Sequence, residues 1–139
     1  MKLKLENNWR QKSLESLEKN TWPALSAGDG SYLMNTCHSL RKKQLQDFTT
    51  EDLRIMIGQE IGLYFLIPLA IEILTENLFA EGDMYEGDLL KNVLDVNTRF
   101  WDDNKDYWQQ LNELIQNRRH EIKAMKFDLS KFDNCKHSL

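Results

Sequence analysis

The chain has 139 residues, a formal net charge of −4 and an isoelectric point near 5.4. This length suits a single domain that buries about two thirds of the surface its unfolded chain would expose. The acidic balance argues against direct nucleic-acid binding, which favours clustered basic side chains with aromatic residues between them. Two cysteines, Cys37 and Cys135, are too few for a disulfide framework and suit free thiols in a reducing compartment.

Neither a membrane span nor a secretory signal is predicted. The longest apolar run, IGLYFLIPLAIEIL at 61–74, contains Pro68 and Glu72 and falls short of the ~20 residues that cross a bilayer. The N-terminal MKLKLENNWRQ has no apolar stretch and no small-residue cleavage site after its basic residues. We therefore expect a cytoplasmic protein.

Apolar residues recur at helical spacing, and no run of β-branched residues alternates with polar ones. In chain order, KSLESLEKN predicts a short helix that buries Leu14 and Leu17. The next segment, SYLMNTCHSLRKK, predicts a helix with Leu33, Cys37 and Leu40 on one face. Both patterns are typical of helices that pack one side against a core.

The clearest helix start is DFTTEDLRIMIG. Thr49 can accept a hydrogen bond from the backbone N–H of Asp52, and the carboxylate of Asp52 can partly play the reciprocal role. This pattern predicts a helix from about residue 50 to residue 59, with Gly58 marking its end.

The downstream segments complete a helical bundle. YFLIPLAIEILTEN is apolar on nearly every side and predicts a buried central helix, Leu63–Asn77, with Pro68 in its first turn or at a kink. DLLKNVLDV predicts a short helix, and KDYWQQLNELIQNRRHEIKAM predicts the last long one. We expect an all-α fold over residues 1–139: a compact single-domain bundle of about five to seven helices around the central one, with residues 126–139 as an extended or frayed tail.

No candidate catalytic or metal centre has the spacing that its chemistry requires. Cys37 and His38 are adjacent, and successive side chains on a helix point about 100° apart, which disfavours a thiol–imidazole pair. Cys37, His38, Cys135 and His137 offer zinc-ligand types without a paired spacing. The turn at 28–30 is too short for a phosphate-binding loop. We predict that the chain is not an enzyme and uses no cofactor or metal.

Residues 79–90, FAEGDMYEGDLL, repeat the triplet Glu-Gly-Asp. EGDMYEGD lacks the spacing of a calcium loop, which needs glycine at its sixth position and a bidentate glutamate at its twelfth. Two compatible interpretations stay open. Asp83 and Asp88 can cap the local turn and helix, and the carboxylates can form an acidic recognition surface.

Negative charge is concentrated around this repeat. Residues 81–106 contain three basic and eight acidic side chains, a net charge of −5, whereas residues 107–139 carry +2. At protein interfaces a few aromatic anchors contribute most of the energy, while surrounding charge selects the partner's sign. We expect Phe100, Trp101 and Trp108 in the core, and leave a core or surface place open for the two tyrosines of this region. The candidate partner-binding residues are Glu81, Asp83, Tyr85, Glu86, Asp88, Asp102, Asp103, Asp106 and Tyr107.

The run from Leu40 to Leu94, followed by RFW at 99–101, resembles the small immunity proteins of bacterial contact-dependent growth inhibition systems. The motifs that carry the resemblance, TTEDLRIMIGQ, LIPLAIEIL and EGDLL, occur in that order. Residues 1–30 and the tail after Met125 lie outside it, so we interpret residues 1–30 as a variable N-terminal segment.

The resemblance implies a cytosolic protein that binds and neutralises a toxin C-terminal domain delivered by a neighbouring cell, often a nuclease. The acidic, aromatic-containing segment independently suits a basic protein partner, because nucleases attract phosphates with basic surfaces. We expect a monomer that binds this partner and neither nucleic acid nor membrane. The alternative is a helical adaptor or regulator that binds another basic protein.

Overall fold

The computed structural model describes residue 5, residues 7–23 and residues 30–135 of the chain. Nine α-helices and no strand occur in this described part, and five of the helices have seven or more residues. The all-α prediction is confirmed, with short helices added to the expected set. The helices are α1 (Leu14–Glu18), α2 (Tyr32–Leu40), α3 (Thr50–Gly58), α4 (Leu63–Glu76), α5 (Asp88–Leu94), α6 (Thr98–Asp103), α7 (Lys105–Gln116), α8 (Arg119–Ala124) and α9 (Ser130–Asp133).

Helix α4 lies at the centre of the core, where the sequence predicted it. Leu66, Ile67 and Ala70 are fully buried, and the helix contacts α3, α5 and α7. Burying a leucine or isoleucine side chain contributes about 1.5–3 kcal/mol, so this apolar helix is a major source of stability. The predicted short helix α1 also packs inward through Leu14 and Leu17.

Helix α3 begins with the predicted capping box. Thr49 Oγ1 accepts the N–H of Asp52 at 3.1 Å, and Asp52 Oδ2 accepts the N–H of Thr49 at 3.0 Å. The helix ends at Gly58, where a Cβ atom would lie 2.8 Å from Asn92 Nδ2. Because glycine leaves this space open, Asn92 of α5 can donate to the carbonyl of Arg54 at 2.9 Å. The two helices are thereby fixed side by side.

Pro68 lies in the interior of α4, beyond its first turn. Proline has no N–H to donate to the carbonyl four residues earlier, which here belongs to Tyr64. The hydroxyl of Tyr107, on α7, donates to that oxygen at 3.2 Å. Helix α7 thus supplies a hydrogen bond that α4 cannot make within itself.

The predicted last long helix is divided into α7 and α8, because Arg118 leaves helical geometry with φ −133° and ψ 20°. After α8, the segment expected to be extended or frayed contains α9 and is described through Cys135. Phe132 is fully buried there, its ring stacks on that of Trp108 at 5.1 Å, and its carbonyl accepts Trp108 Nε1–H at 3.0 Å. Residues 130–135 are therefore packed on the core.

Candidate functional site

The acidic residues of the segment 81–106 contribute to two separate surfaces of the fold. Residues 81–87, which we call the acidic loop, are the last seven residues of the connection from α4 to α5. Residues 102–107, which we call the acidic corner, span the junction of α6 and α7.

The two surfaces lie at opposite ends of α4. The acidic corner is at its start, where Tyr107 bonds to Tyr64. The acidic loop follows the end of α4 at Glu76. On that side, the Phe79 ring lies 5.3 Å from the guanidinium carbon of Arg118, which comes after the end of α7. The 14 residues of α4 span about 20 Å. A partner therefore meets two separate groups of carboxylates.

Asp88 shapes the acidic loop. It is the first residue of α5, and its side chain is 2 % exposed. Oδ1 accepts the N–H of Gly82 at 2.7 Å, while Oδ2 accepts those of Met84 at 3.0 Å and Tyr85 at 3.2 Å. Hydrogen bonds to an ionised acceptor are stronger than those between neutral groups. Asp88 therefore supports the loop from inside the protein. The sequence analysis expected Asp88 to bind a partner, but its side chain is too buried to do so.

A second carboxylate reaches the loop from α3. Glu51 Oε1 accepts the N–H of Asp83 at 2.8 Å. Arg54 donates two hydrogen bonds to Glu51, at 2.6 and 2.5 Å, and its Nε lies 3.8 Å from Asp88 Oδ2. The hydrogen bond from Arg54 is the main cause that lowers the pKa of Glu51. Four consecutive backbone N–H groups, at 82–85, therefore donate to two carboxylates.

This geometry needs both glycines of the repeat. A Cβ atom at Gly82 would lie 2.6 Å from Glu51 Oε1 and 3.2 Å from Asp88 Oδ2. Gly87 has φ +83°, the left-handed region that glycine favours, and it leads the chain into α5. The capping role predicted for Asp83 is not observed, since its side chain forms no hydrogen bond with the described residues. The repeat instead encodes the shape of the loop.

The outer side of the acidic loop combines apolar and acidic side chains. Met84 is 68 % exposed and Tyr85 is 42 % exposed. Glu81, Asp83 and Glu86 are exposed around them, and their side chains form no ion pair with the described residues. Exposed apolar groups rimmed by charge are typical of protein-binding surfaces. The sequence analysis missed Met84, although an apolar pair inside a glycine-flanked acidic turn was a usable signal.

The acidic corner displays charge without such an apolar pair. Asp102, Asp103 and Asp106 are exposed. Trp101 and Trp108 are each 1 % exposed and belong to the core, as predicted. Phe100 is partly buried and packs against the core.

Tyr107, the aromatic candidate of the corner, is engaged in contacts inside the protein. Its ring packs beside those of Tyr64 at 5.8 Å and Phe100 at 6.3 Å. Burial is the main cause that raises the pKa of Tyr107 to about 12, so the hydroxyl stays protonated and continues to donate to the Tyr64 carbonyl. Of the two tyrosine candidates, Tyr85 is therefore the displayed one.

A second exposed apolar group lies on α2, where Tyr32, Leu33 and Met34 are 81 %, 39 % and 48 % exposed. Leu33 was expected to face the core. Burial raises the pKa of the Cys37 thiol, and the His38 ring meets Trp22 edge-on at 5.0 Å. Nothing in this arrangement activates the thiol as a nucleophile. A cavity of about 190 Å³ here is lined by Trp22, Leu33, Met34, Cys37, His38, Gln59 and Ile61.

Among the described residues, no three His, Cys, Asp or Glu side chains are grouped so that they could hold a metal ion. Cys135 is buried, while His137, Gly28 and Asp29 lie outside the described part of the chain. Within that same part, no helix has both the length and the apolar character that crossing a membrane requires.

The helical bundle and the displayed acidic loop define a small all-α protein with a preformed surface of apolar and acidic groups. Comparison with known families shows which one: the family model for CDI immunity proteins, those of contact-dependent growth inhibition, matches residues 16–111. The match covers more than half of the chain, which therefore belongs to this family, and the resemblance is confirmed. It begins inside the segment 1–30 that we interpreted as variable. Neither the curated proteins nor the solved structures give a significant match.

Proposed function

We propose that this immunity protein neutralises its cognate toxin domain by docking the acidic loop onto a basic, nuclease-type surface of that domain. Family membership supports the neutralising role. The observation that carries the choice of surface is the exposed pair Met84 and Tyr85, set among carboxylates that no described residue pairs. In this proposal, neutralisation takes place in the cytoplasm, because a nuclease meets its substrate there.

Charge gives the loop its partner preference. A nuclease attracts phosphates with lysine and arginine side chains, so its substrate surface is basic. Glu81, Asp83 and Glu86 complement such a surface and accelerate the encounter. At physiological ionic strength screening acts over about 8 Å, so the corner, which lies at the other end of α4, contributes separately.

The apolar pair supplies the lasting contact. Tyrosine is enriched among the residues that dominate interface energies, because its ring buries a large area and its hydroxyl can still bind a polar group. Methionine adapts its shape to irregular surfaces. Tyr85 and Met84 therefore set the dissociation rate in this proposal, whereas the surrounding carboxylates set the association rate.

Two matched charge reversals test the proposal against the cognate toxin domain. One variant carries Glu81→Lys and Glu86→Lys in the acidic loop, and the other carries Asp102→Lys and Asp103→Lys in the acidic corner. We expect the loop variant to associate about tenfold more slowly at low salt, with a weaker salt dependence, since charges at a binding surface act on the association rate. The corner variant is expected to lose less.

Stopped-flow binding at two salt concentrations gives both rates, and circular dichroism checks that each variant is folded. An unchanged association rate in a folded loop variant, or a larger loss in the corner variant, would overturn the choice of the acidic loop.

A further inference from the structure

We infer that Glu51 and Asp88, two carboxylates outside the displayed set, act as positioning residues that hold the acidic loop in the backbone conformation that the toxin domain binds. We call these two the holding carboxylates. This inference rests on the proposed function for its binding consequence. Its structural part concerns the free protein alone and can be tested without the toxin.

The backbone donors of the loop carry the first step. Gly82, Met84 and Tyr85 donate to Asp88, while Asp83 donates to Glu51. A run of neighbouring N–H groups aimed at carboxylate oxygens is a charge-assisted arrangement, which is stronger than the turn hydrogen bonds that water would replace. The loop conformation therefore depends on side chains from α3 and α5.

The charge balance carries the second step. Asp88 is 2 % exposed, and a buried carboxylate needs both hydrogen bonds and a compensating charge. Arg54 provides that charge: it bonds twice to Glu51 and lies 3.8 Å from Asp88. One arginine thus keeps both holding carboxylates in place beneath the loop.

Preorganisation is the consequence for binding. A loop that is already ordered loses little conformational entropy when it docks, so more of the contact energy appears as affinity. Loosening it should weaken toxin binding even though Asp88 itself is inaccessible to the toxin. The holding carboxylates act on recognition through Met84 and Tyr85.

The variant Asp88→Asn removes this support with little change of shape. One position that accepts backbone N–H groups then carries an NH₂ group, so at least one loop amide faces another donor. Hydrogen exchange of the free protein should become about tenfold faster at residues 82–85, the scale set by leaving a buried N–H unsatisfied, while the amides of α4 keep their protection. A general loss of stability would accelerate exchange in α4 as well.

Glu51→Gln is the second variant, for the case that Asp88→Asn does not fold, and it should accelerate exchange mainly at Asp83. Asp95→Asn is the matched control, because it removes one charge from the end of the same helix and breaks only an exposed pair with Lys91. Exchange at 82–85 that stays unchanged in the folded Asp88 and Glu51 variants would overturn the inference.

Toxin affinity separates this inference from the proposed function. Weaker binding by both Asp88→Asn and Tyr85→Ala supports the two together. If only Tyr85→Ala weakens binding while Asp88→Asn loosens the loop, the positioning role is refuted and the proposed surface stands. If neither variant weakens binding, the proposed surface is refuted, and with it the binding consequence drawn here.

Discussion

The acidic loop and the acidic corner come from one stretch of sequence and carry the same sign of charge, yet they use their tyrosines in opposite ways. In the loop, side chains from α3 and α5 satisfy the backbone, and Tyr85 is 42 % exposed. In the corner, Tyr107 satisfies the Tyr64 carbonyl that Pro68 leaves without an N–H. The Tyr64 carbonyl on α4 needs a donor, and this need holds Tyr107 inside the protein although the local composition of the two surfaces is similar.

The largest expected effect separates the two tyrosines in toxin binding. Tyr85→Ala should raise the Kd for the toxin domain about 30-fold, on the scale of about 2 kcal/mol for an interface anchor. Tyr107→Phe should leave the Kd within about twofold, because its hydroxyl is engaged inside the protein. Isothermal titration calorimetry measures both. Equal losses from the two substitutions would contradict the distinction between a displayed and a structural tyrosine.

The next effect separates them in folding. Tyr107→Phe should lower the free energy of unfolding by about 1–2 kcal/mol, because the Tyr64 carbonyl then lacks its donor, whereas Tyr85→Phe should leave it unchanged. In a Pro68→Ala background the backbone N–H of residue 68 can reach that carbonyl, so the cost of Tyr107→Phe should shrink. Urea unfolding of the wild type, Tyr107→Phe, Pro68→Ala and the double variant completes the cycle. Independent, additive losses would refute the compensation of Pro68 by Tyr107.

Alkali should destabilise the corner by ionising Tyr107. The pKa of Tyr107 is raised from 10.0 to about 12 mainly by burial, so the fold favours the protonated hydroxyl. The corresponding stability is present below pH 10 and is lost as the pH rises toward 12. Ultraviolet titration should show a late phenolate step that Tyr107→Phe removes and Tyr85→Phe retains. A titration in which Tyr107→Phe removes no late step would contradict this.

Acid should affect the loop, with the smallest effect of the four. The pKa of Glu51 is lowered chiefly by its hydrogen bond from Arg54, so its contribution is present above the ordinary pKa and is lost as the pH falls through the lowered one. The amide resonance of Asp83 should therefore titrate at that lowered pKa, and Arg54→Gln should move the transition to higher pH. If the pH titration of the Asp83 amide resonance is the same in Glu51→Gln as in the wild type, the hydrogen bond from Asp83 to Glu51 is contradicted.

The sequence predicted those features that depend on neighbours along the chain. The capping box of Thr49 and Asp52, the buried central helix and the core positions of Trp101 and Trp108 follow from local spacing. Among the candidate residues, Glu81 and Glu86 are exposed. Of the two tyrosines whose place the sequence left open, Tyr85 is exposed and Tyr107 bonds to Tyr64 inside the protein.

What the sequence could not reveal depends on contacts between distant segments. Glu51 and Arg54 lie on another helix, so nothing near the repeat indicated that they hold it. Asp88 was a candidate both for capping α5 and for binding the partner, and the sequence did not reveal that it is buried beside Arg54 of α3. The break at Arg118 and the packing of Phe132 likewise follow from the tertiary fold, which overrides local helical spacing and an apparently polar tail.

The separation between residues that hold the loop and residues that it displays has an evolutionary consequence. In the proposed function, substitutions at the outward positions of residues 81–86 change what the surface recognises, while side chains of α3 and α5 fix the backbone at 82–85. Surface substitutions of this kind usually alter stability by less than about 0.5 kcal/mol. On this proposal, a lineage exchanges one toxin for another through a few changes in this short window, with the helical bundle beneath it inherited unaltered.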